Sequence, residues 1–391
     1  MGNQMTTTHV FIVDTNTFKY HLEYLFAGTG AKELNIDFNN CCYTNLNHKV
    51  EDNLVAMLAD SQRIRQGDFI IFYLQQNYKQ NVLEGKFYGI FKAKEDLSFL
   101  DNNDSQQYLK NLLNKSLTFR TLIEPYEVYS KGVTEWEALD EIKYIQSPNQ
   151  MLWSLIYRKL KGNRGNTMIT IYESERLFQL LRKKNNNKSL QGQNFTFDII
   201  NQEIIISNTS NMYSGRKVKI NILPRLIEKC ISGRSFEPHL QAYIVQNIGV
   251  KTNKSLDEAL LNYEGDWKIE WIGNEVSCGV GMQRIDLMIS LSDNDTKRII
   301  IPIELKSVEA NPNNIIQIQR YIDWIDQYYI PNRISLIQPV LIAKEIIDKN
   351  SLYYNSVINS FINFNNNNCL PLKYIEFKLL NDNLHFQLIN Y

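Results

Sequence analysis

Hydrophobic positions along the chain fall into short dense runs separated by polar or glycine-bearing breaks, and the period of each run predicts its element. In the first half HVFIV (9–13) predicts a strand, and VEDNLVAMLADSQRI (50–64) carries apolar residues at helical spacing. FIIFYL (69–74) follows Gly67 and Asp68, and KFYGIFKA (86–93) follows Gly85. Both runs are dense in aromatic and β-branched residues and are separated by a polar turn, which predicts two strands of an antiparallel sheet. Helices are predicted over 149–160, ending at Gly162, and over about 172–184.

A polar stretch without periodicity, NNNKSLQGQ (185–193), interrupts the pattern. Two short strand-like pieces follow, FTFDII (195–200) and EIIIS (203–207). From about 223 the rhythm changes: helices over 223–232 and 236–247, strands around 267–276 and 283–291, then IIIPIEL (299–305). A long helix over about 312–328 and the strand PVLIAKEI (339–346) complete it. The expected organisation is a first domain at 1–185, a linker with bridging strands at 186–222, and a second domain at 223–391. The expected fold class combines α/β and α+β: a barrel-type β domain with helices, then a mixed sheet flanked by helices.

Composition narrows the class of protein. With 391 residues, 43% hydrophobic and 21% charged, the chain is globular, and no apolar run approaches a membrane span. The start of the sequence lacks the basic-then-apolar pattern of a secretory leader. Five cysteines without a CxxC pair suit reduced thiols, so a cytoplasmic location is expected. The 42 basic and 42 acidic side chains cancel, but not locally. Nine Lys or Arg face two acids over 158–188, while two Lys face six acids over 123–143. A second basic group contains Arg216, Lys217, Lys219, Arg225, Lys229 and Arg234. Such clusters can contact phosphates at zero net charge.

The most chemically pointed segment is 286–306. Asp286 lies in RIDLMIS and Glu304 and Lys306 in IIIPIELKS. Residues two apart on a strand share a face, so Glu304 and Lys306 should point together. An ion pair capping a buried strand is the plain explanation. The chemical one is a hard oxygen site for Mg²⁺, built from two carboxylates on neighbouring strands with a lysine beside it.

IDLMIS…IPIELKS resembles the D…ExK core of the PD-(D/E)XK nuclease superfamily, with Ile285-Asp286 where that family has proline-aspartate. Three further pieces resemble its NucS-like branch: FEPHLQAYIVQNIG (236–249), QIQRY (317–321) and PVLIAKEI. The resemblance covers about 223–346 and departs from the branch in a long insertion at 251–265. It implies a restriction-endonuclease-like fold and Mg²⁺-dependent cleavage of double-stranded DNA, with Mn²⁺ able to substitute. It further implies a catalytic set of Asp286, Glu304, Lys306, Glu237 and Gln317. The metal would lie on Asp286, Glu304 and the Leu305 carbonyl, and Arg284 and Tyr321 would face DNA.

In the first half, QGDFIIFYLQ…GKFYGIFKA resembles the paired strands of EVE and other PUA-like domains, which bind nucleic acid. That likeness implies an aromatic cage for an extruded or modified base, with Tyr73, Trp153 and Tyr88 as the candidates. Core packing is the competing role for any aromatic on such strands. Arg158, Lys161 and Arg164 of the basic, glycine-flanked 156–170 segment, with Arg216 and Lys217, are the candidate phosphate contacts. The expected protein is a restriction-type endonuclease, and a homodimer where it cuts both strands. The alternatives are a mismatch- or structure-specific repair nuclease and a non-cleaving reader of modified nucleic acid.

Overall fold

The structure is a computed structural model, and it describes residues 6–30, 36, 38, 48–151, 165–234, 236–278, 283–293, 297–330, 335–364 and 368–391. The chain divides into two compact units, with the change at Ile220–Asn221.

In the first unit the strands are β1 (Thr8–Val13), β2 (Phe26–Thr29), β3 (Phe69–Leu74), β4 (Lys86–Ala93), β5 (Phe99–Leu100), β6 (Phe119–Pro125), β7 (Val133–Thr134) and β8 (Asn166–Ile169). They form one sheet in the order β2-β6-β4-β3-β1-β8, with β5 on β6 and β7 on β4. Only β1 and β3 run parallel; the other pairs are antiparallel. The sheet curls into a half-barrel. Its two edge strands approach where Gly165, at φ +73°, lies so close to Thr29 that a Cβ would sit 3.2 Å from the threonine methyl. Glycine serves both needs there, the left-handed backbone and the close approach.

The helices are α1 (Thr15–Glu23), α2 (His48–Gln62), α3 (Lys110–Leu113), α4 (Glu135–Asp140) and α5 (Ile171–Lys184). Asp14 caps α1 and Thr170 caps α5, each through a reciprocal capping box. Both faces of the sheet are covered, which explains why β3 reads as an unbroken apolar run. Ile70, Phe72 and Leu74 enter one core with Phe18 and Leu22 of α1. Phe69, Ile71 and Tyr73 enter the other with Leu177, Phe178 and Leu181 of α5. A bulge on β4, where Gly89 and Ile90 lie opposite Ile71 alone, keeps Phe91 on the first core after the slip in alternation.

The segment expected to be linker is part of this unit. β9 (Phe195–Asp198) and β10 (Glu203–Ile206) form a hairpin, and Phe195, Phe197 and Ile204 are buried in the α1 core. The first unit therefore runs on to Ile220, through the segment expected to link the domains, and the second starts close to the expected residue 223. The predicted helix at 149–160 lies mostly outside the described residues; its start, Pro148–Gln150, is a 3-10 turn.

The second unit contains helices α6 (Leu223–Ser232), α7 (Glu237–Asn247), α8 (Lys254–Leu261), α9 (Asn314–Trp324), continued by a π-turn, and α10 (Leu352–Ile362). Its strands are β11 (Lys268–Ser277), β12 (Arg284–Ser292), β13 (Arg298–Glu309), β14 (Ser335–Ile337), β15 (Val340–Lys344), β16 (Lys373–Leu380) and β17 (Asn383–Ile389). The order is β11-β12-β13-β15-β16-β17, with β14 beside β13. β13, β15 and β16 run parallel, and antiparallel strands flank them on either side. Phe361 of α10 packs on Tyr374, whereas Phe236 and Tyr243 beside and in α7 pack on Phe377 and Phe386, so helices cover both faces of a mixed sheet. Among the described residues no helix is long and apolar enough to cross a membrane.

The first unit also encloses an ion cluster. Arg120 and Asp101 are fully buried and 3.1 Å apart, and Arg216 reaches the same carboxylate. Removing one partner of a buried pair strands the other charge, at about 3–5 kcal/mol. Arg120→Ala is expected to lower the unfolding free energy, measured by urea denaturation, by that amount, whereas Lys217→Ala, which breaks the half-exposed pair with Glu95, should cost about 1 kcal/mol or less.

Candidate active site

The site forms where two strands part. β12 and β13 pair from Ser292/Arg298 as far as Leu287/Ile303, and there the ladder ends. One residue beyond, the Asp286 side chain takes over: its Oδ2 accepts the Leu305 N–H at 2.9 Å. Glu304 lies next to that amide, fully buried. Its Oε1 is 2.5 Å from Lys306 Nζ, so the two side chains share a face as the period of two requires. Its Oε2 is 2.6 Å from the Tyr321 hydroxyl on α9, which accepts a hydrogen bond from Gln317 Nε2 at 2.7 Å and lies 2.9 Å from the Arg284 carbonyl. Glu237, in the first turn of α7, points its Oε1 at the Ser307 N–H across a long 3.4 Å.

The structure thus brings together Asp286, Glu304, Lys306, Glu237 and Gln317, the set that the family resemblance implies. Tyr321 is corrected. It is 1% exposed and holds Glu304, so it is a support for the carboxylate and not a DNA contact. Arg284 is half-exposed and pairs with Glu275 at 2.8 Å. Gln241 had no place in the sequence reading; its Nε2 donates to the Asp286 carbonyl at 2.8 Å. The available signal was its spacing, one helical turn after Glu237 on the same face.

Charge dominates the chemistry. Burial and then the Glu304 charge push the Asp286 carboxyl well above the ordinary carboxylate range, and Glu237 adds to this. Burial works against the Lys306 ammonium, but Glu304, with Glu237 and Asp286 beyond it, outweighs burial and raises its pKa. Three carboxylates therefore face one lysine, an arrangement that an added cation would relieve. Among the described residues no group of three or more His, Cys, Asp or Glu forms a ready-made metal cluster. Two carboxylates and a carbonyl nevertheless suit Mg²⁺, which takes few protein ligands and retains waters.

In the first unit the expected base cage is not open. Tyr88 is fully buried; its ring packs between Phe18 and Phe197 at 5.2 and 5.7 Å, and its hydroxyl donates to the Gln202 carbonyl at 2.7 Å. Tyr73 is 5% exposed, tilted against Phe87, and donates to Glu135 at 2.5 Å. Both are core residues, because this sheet is covered on both faces. Trp153, Arg158, Lys161 and Arg164 lie outside the described residues.

Arg216 is corrected as well: its guanidinium is spent on Asp104 at 2.8 Å and on Asp101. Lys217 makes a half-exposed pair with Glu95. Likewise Arg182 pairs with Glu127 at 2.9 Å, and Lys184 pairs with Glu137. The oppositely charged stretches of the sequence thus partly neutralise each other inside one unit.

No family model matches the chain, and no curated protein matches it. Solved structures with some likeness include a hypothetical protein from Leishmania major, at 10% identity and TM-score 0.28, covering 46% of this chain and 96% of that one. Rpa0253 from Rhodopseudomonas palustris shows 13% identity and TM-score 0.24, covering 46% and 94%. Human THYN1 protein, in complex with 5-methylcytosine containing DNA, shows 10% identity and TM-score 0.24, covering 45% and 96%.

The sign of the Asp286 shift gives a prediction. A carboxyl whose folded pKa is raised binds a proton that the unfolded chain has already released, so stability falls as pH climbs from the usual aspartate value through the raised one. Urea midpoints of metal-free protein between about pH 4 and 8 should therefore decline more steeply for wild type than for Asp286→Asn, which still accepts from Leu305. Parallel profiles would contradict the assigned repulsion.

Proposed function

We propose that the protein is a Mg²⁺-dependent DNA endonuclease of restriction type, with catalysis in the second unit and target reading in the first. The carrying observation is the convergence of Asp286, Glu304 and Lys306 at the strand fork, with Glu237 beside them.

Asp286, Glu304 and the Leu305 carbonyl would hold the metal. When bound, Mg²⁺ supplies a Lewis acid for the phosphodiester and lowers the pKa of a coordinated water. Tyr321, steadied by Gln317, fixes one Glu304 oxygen and leaves the carboxylate little rotational freedom. Lys306 stays charged beside Glu304, which favours orienting the attacking water and neutralising charge on the phosphoryl oxygens over taking up a proton. One fork per chain cuts one strand, so a double-strand break calls for two copies.

Target reading rests on the likeness of the β3–β4 sequence to PUA-like strands and on the basic run at 158–188. Since THYN1 is seen with 5-methylcytosine containing DNA, such duplexes belong among the substrates tried.

The test is plasmid cleavage with Mg²⁺ on unmodified and 5-methylcytosine-containing DNA, alongside mismatched and flapped duplexes. Wild type should nick or cut, with Asp286→Ala and Glu304→Ala slower by about 10²-fold or more. Equal nicking by wild type and Asp286→Ala would sink the assignment. Preference for mismatches or flaps over intact plasmid would move it to a repair nuclease, and binding without cleavage would make it a reader.

A further inference from the structure

Past Leu287 and Ile303 no ladder bond ties β12 to β13, so the spacing of Asp286 and Glu304 depends on whatever holds the two strands there. Two contacts come from one helix. α7 places Glu237 against the Ser307 N–H on β13 and, four residues later, Gln241 against the Asp286 carbonyl on β12. The helix thereby spans the fork with an i, i+4 pair.

Gln241 is 7% exposed on a helix whose neighbouring residues Leu240, Ala242, Ile244 and Val245 are buried apolar side chains. A buried amide is costly unless hydrogen-bonded, and at equal volume an apolar side chain would pack there without that cost. Its bond is to the main chain of Asp286, whose side chain reaches across the fork.

We infer that Gln241 is a positioning residue: it holds the Asp286 backbone so that the carboxylate stays on the Leu305 amide at a fixed separation from Glu304. Its effect on catalysis rests on the nuclease reading, but its effect on the fork does not.

The experiment is amide hydrogen exchange on the full, metal-free chain, comparing wild type with Gln241→Met, which keeps the volume and removes the donor. Exchange at Leu305 should quicken about tenfold or more, while Ile289 and Ile301, deep in the same ladder, stay unchanged. Should Gln241→Met fail to fold, Gln241→Asn, which withdraws the amide by one methylene, is expected to give the same local result. Unchanged exchange at Leu305 in a folded variant overturns the inference, and so does a uniform rise along β12 and β13, the mark of a general packing role. In cleavage assays kcat should fall about tenfold with KM for DNA unmoved. If wild type cuts no DNA, the nuclease reading fails while the exchange result still decides the role of Gln241.

Discussion

One hydrogen bond organises the second unit: the Asp286 carboxylate on the Leu305 N–H, where the β12–β13 ladder gives out. A side chain there substitutes for a ladder bond, and its cost is electrostatic. The bond holds Asp286 beside a fully buried Glu304, and the two negative charges oppose each other in a medium that screens poorly. Lys306 offsets part of this, and Tyr321 ties down the remaining Glu304 oxygen. What is left is a side-chain cluster with surplus negative charge, a poor packing solution that the proposed divalent cation would relieve.

The first unit shows the opposite economy. Its charges are matched internally, with Arg120, Arg216 and Asp101 in one cluster and Arg182 on Glu127. Its aromatics are matched by packing, with Tyr88 between Phe18 and Phe197. The interior of the curled sheet is a core. Segments that read DNA would therefore be sought among the basic residues not consumed in this way.

Much of this was legible in the sequence where burial and period agree. FIIFYL and KFYGIFKA are strands at the expected residues, because only a strand covered on both faces tolerates such runs. The ExK spacing carried Glu304 and Lys306 to one face, since strand alternation admits no other outcome. Legibility failed where the partner lay far along the chain. Arg216 lies more than a hundred residues from Asp101 and Asp104, and nothing local marks it as spent. Tyr73 and Tyr88 looked available because alternation identifies a face without saying what covers it. The hairpin at 195–206 looked like a bridge because its strands are short, yet Phe195, Phe197 and Ile204 are buried in the first unit's core. Gln241 was overlooked because its only local signal, a spacing of four from Glu237, does not show that its partner is the Asp286 main chain.

The central claim is that the fork holds a divalent cation. Titrating the DNA-free protein with Mn²⁺, followed by the paramagnetic signal of the free ion, tests it most directly. The account predicts saturable binding in wild type that is lost in Glu304→Gln, a variant that keeps the side-chain shape and removes the charge. Equal Mn²⁺ binding by wild type and Glu304→Gln, or none by either, would contradict it.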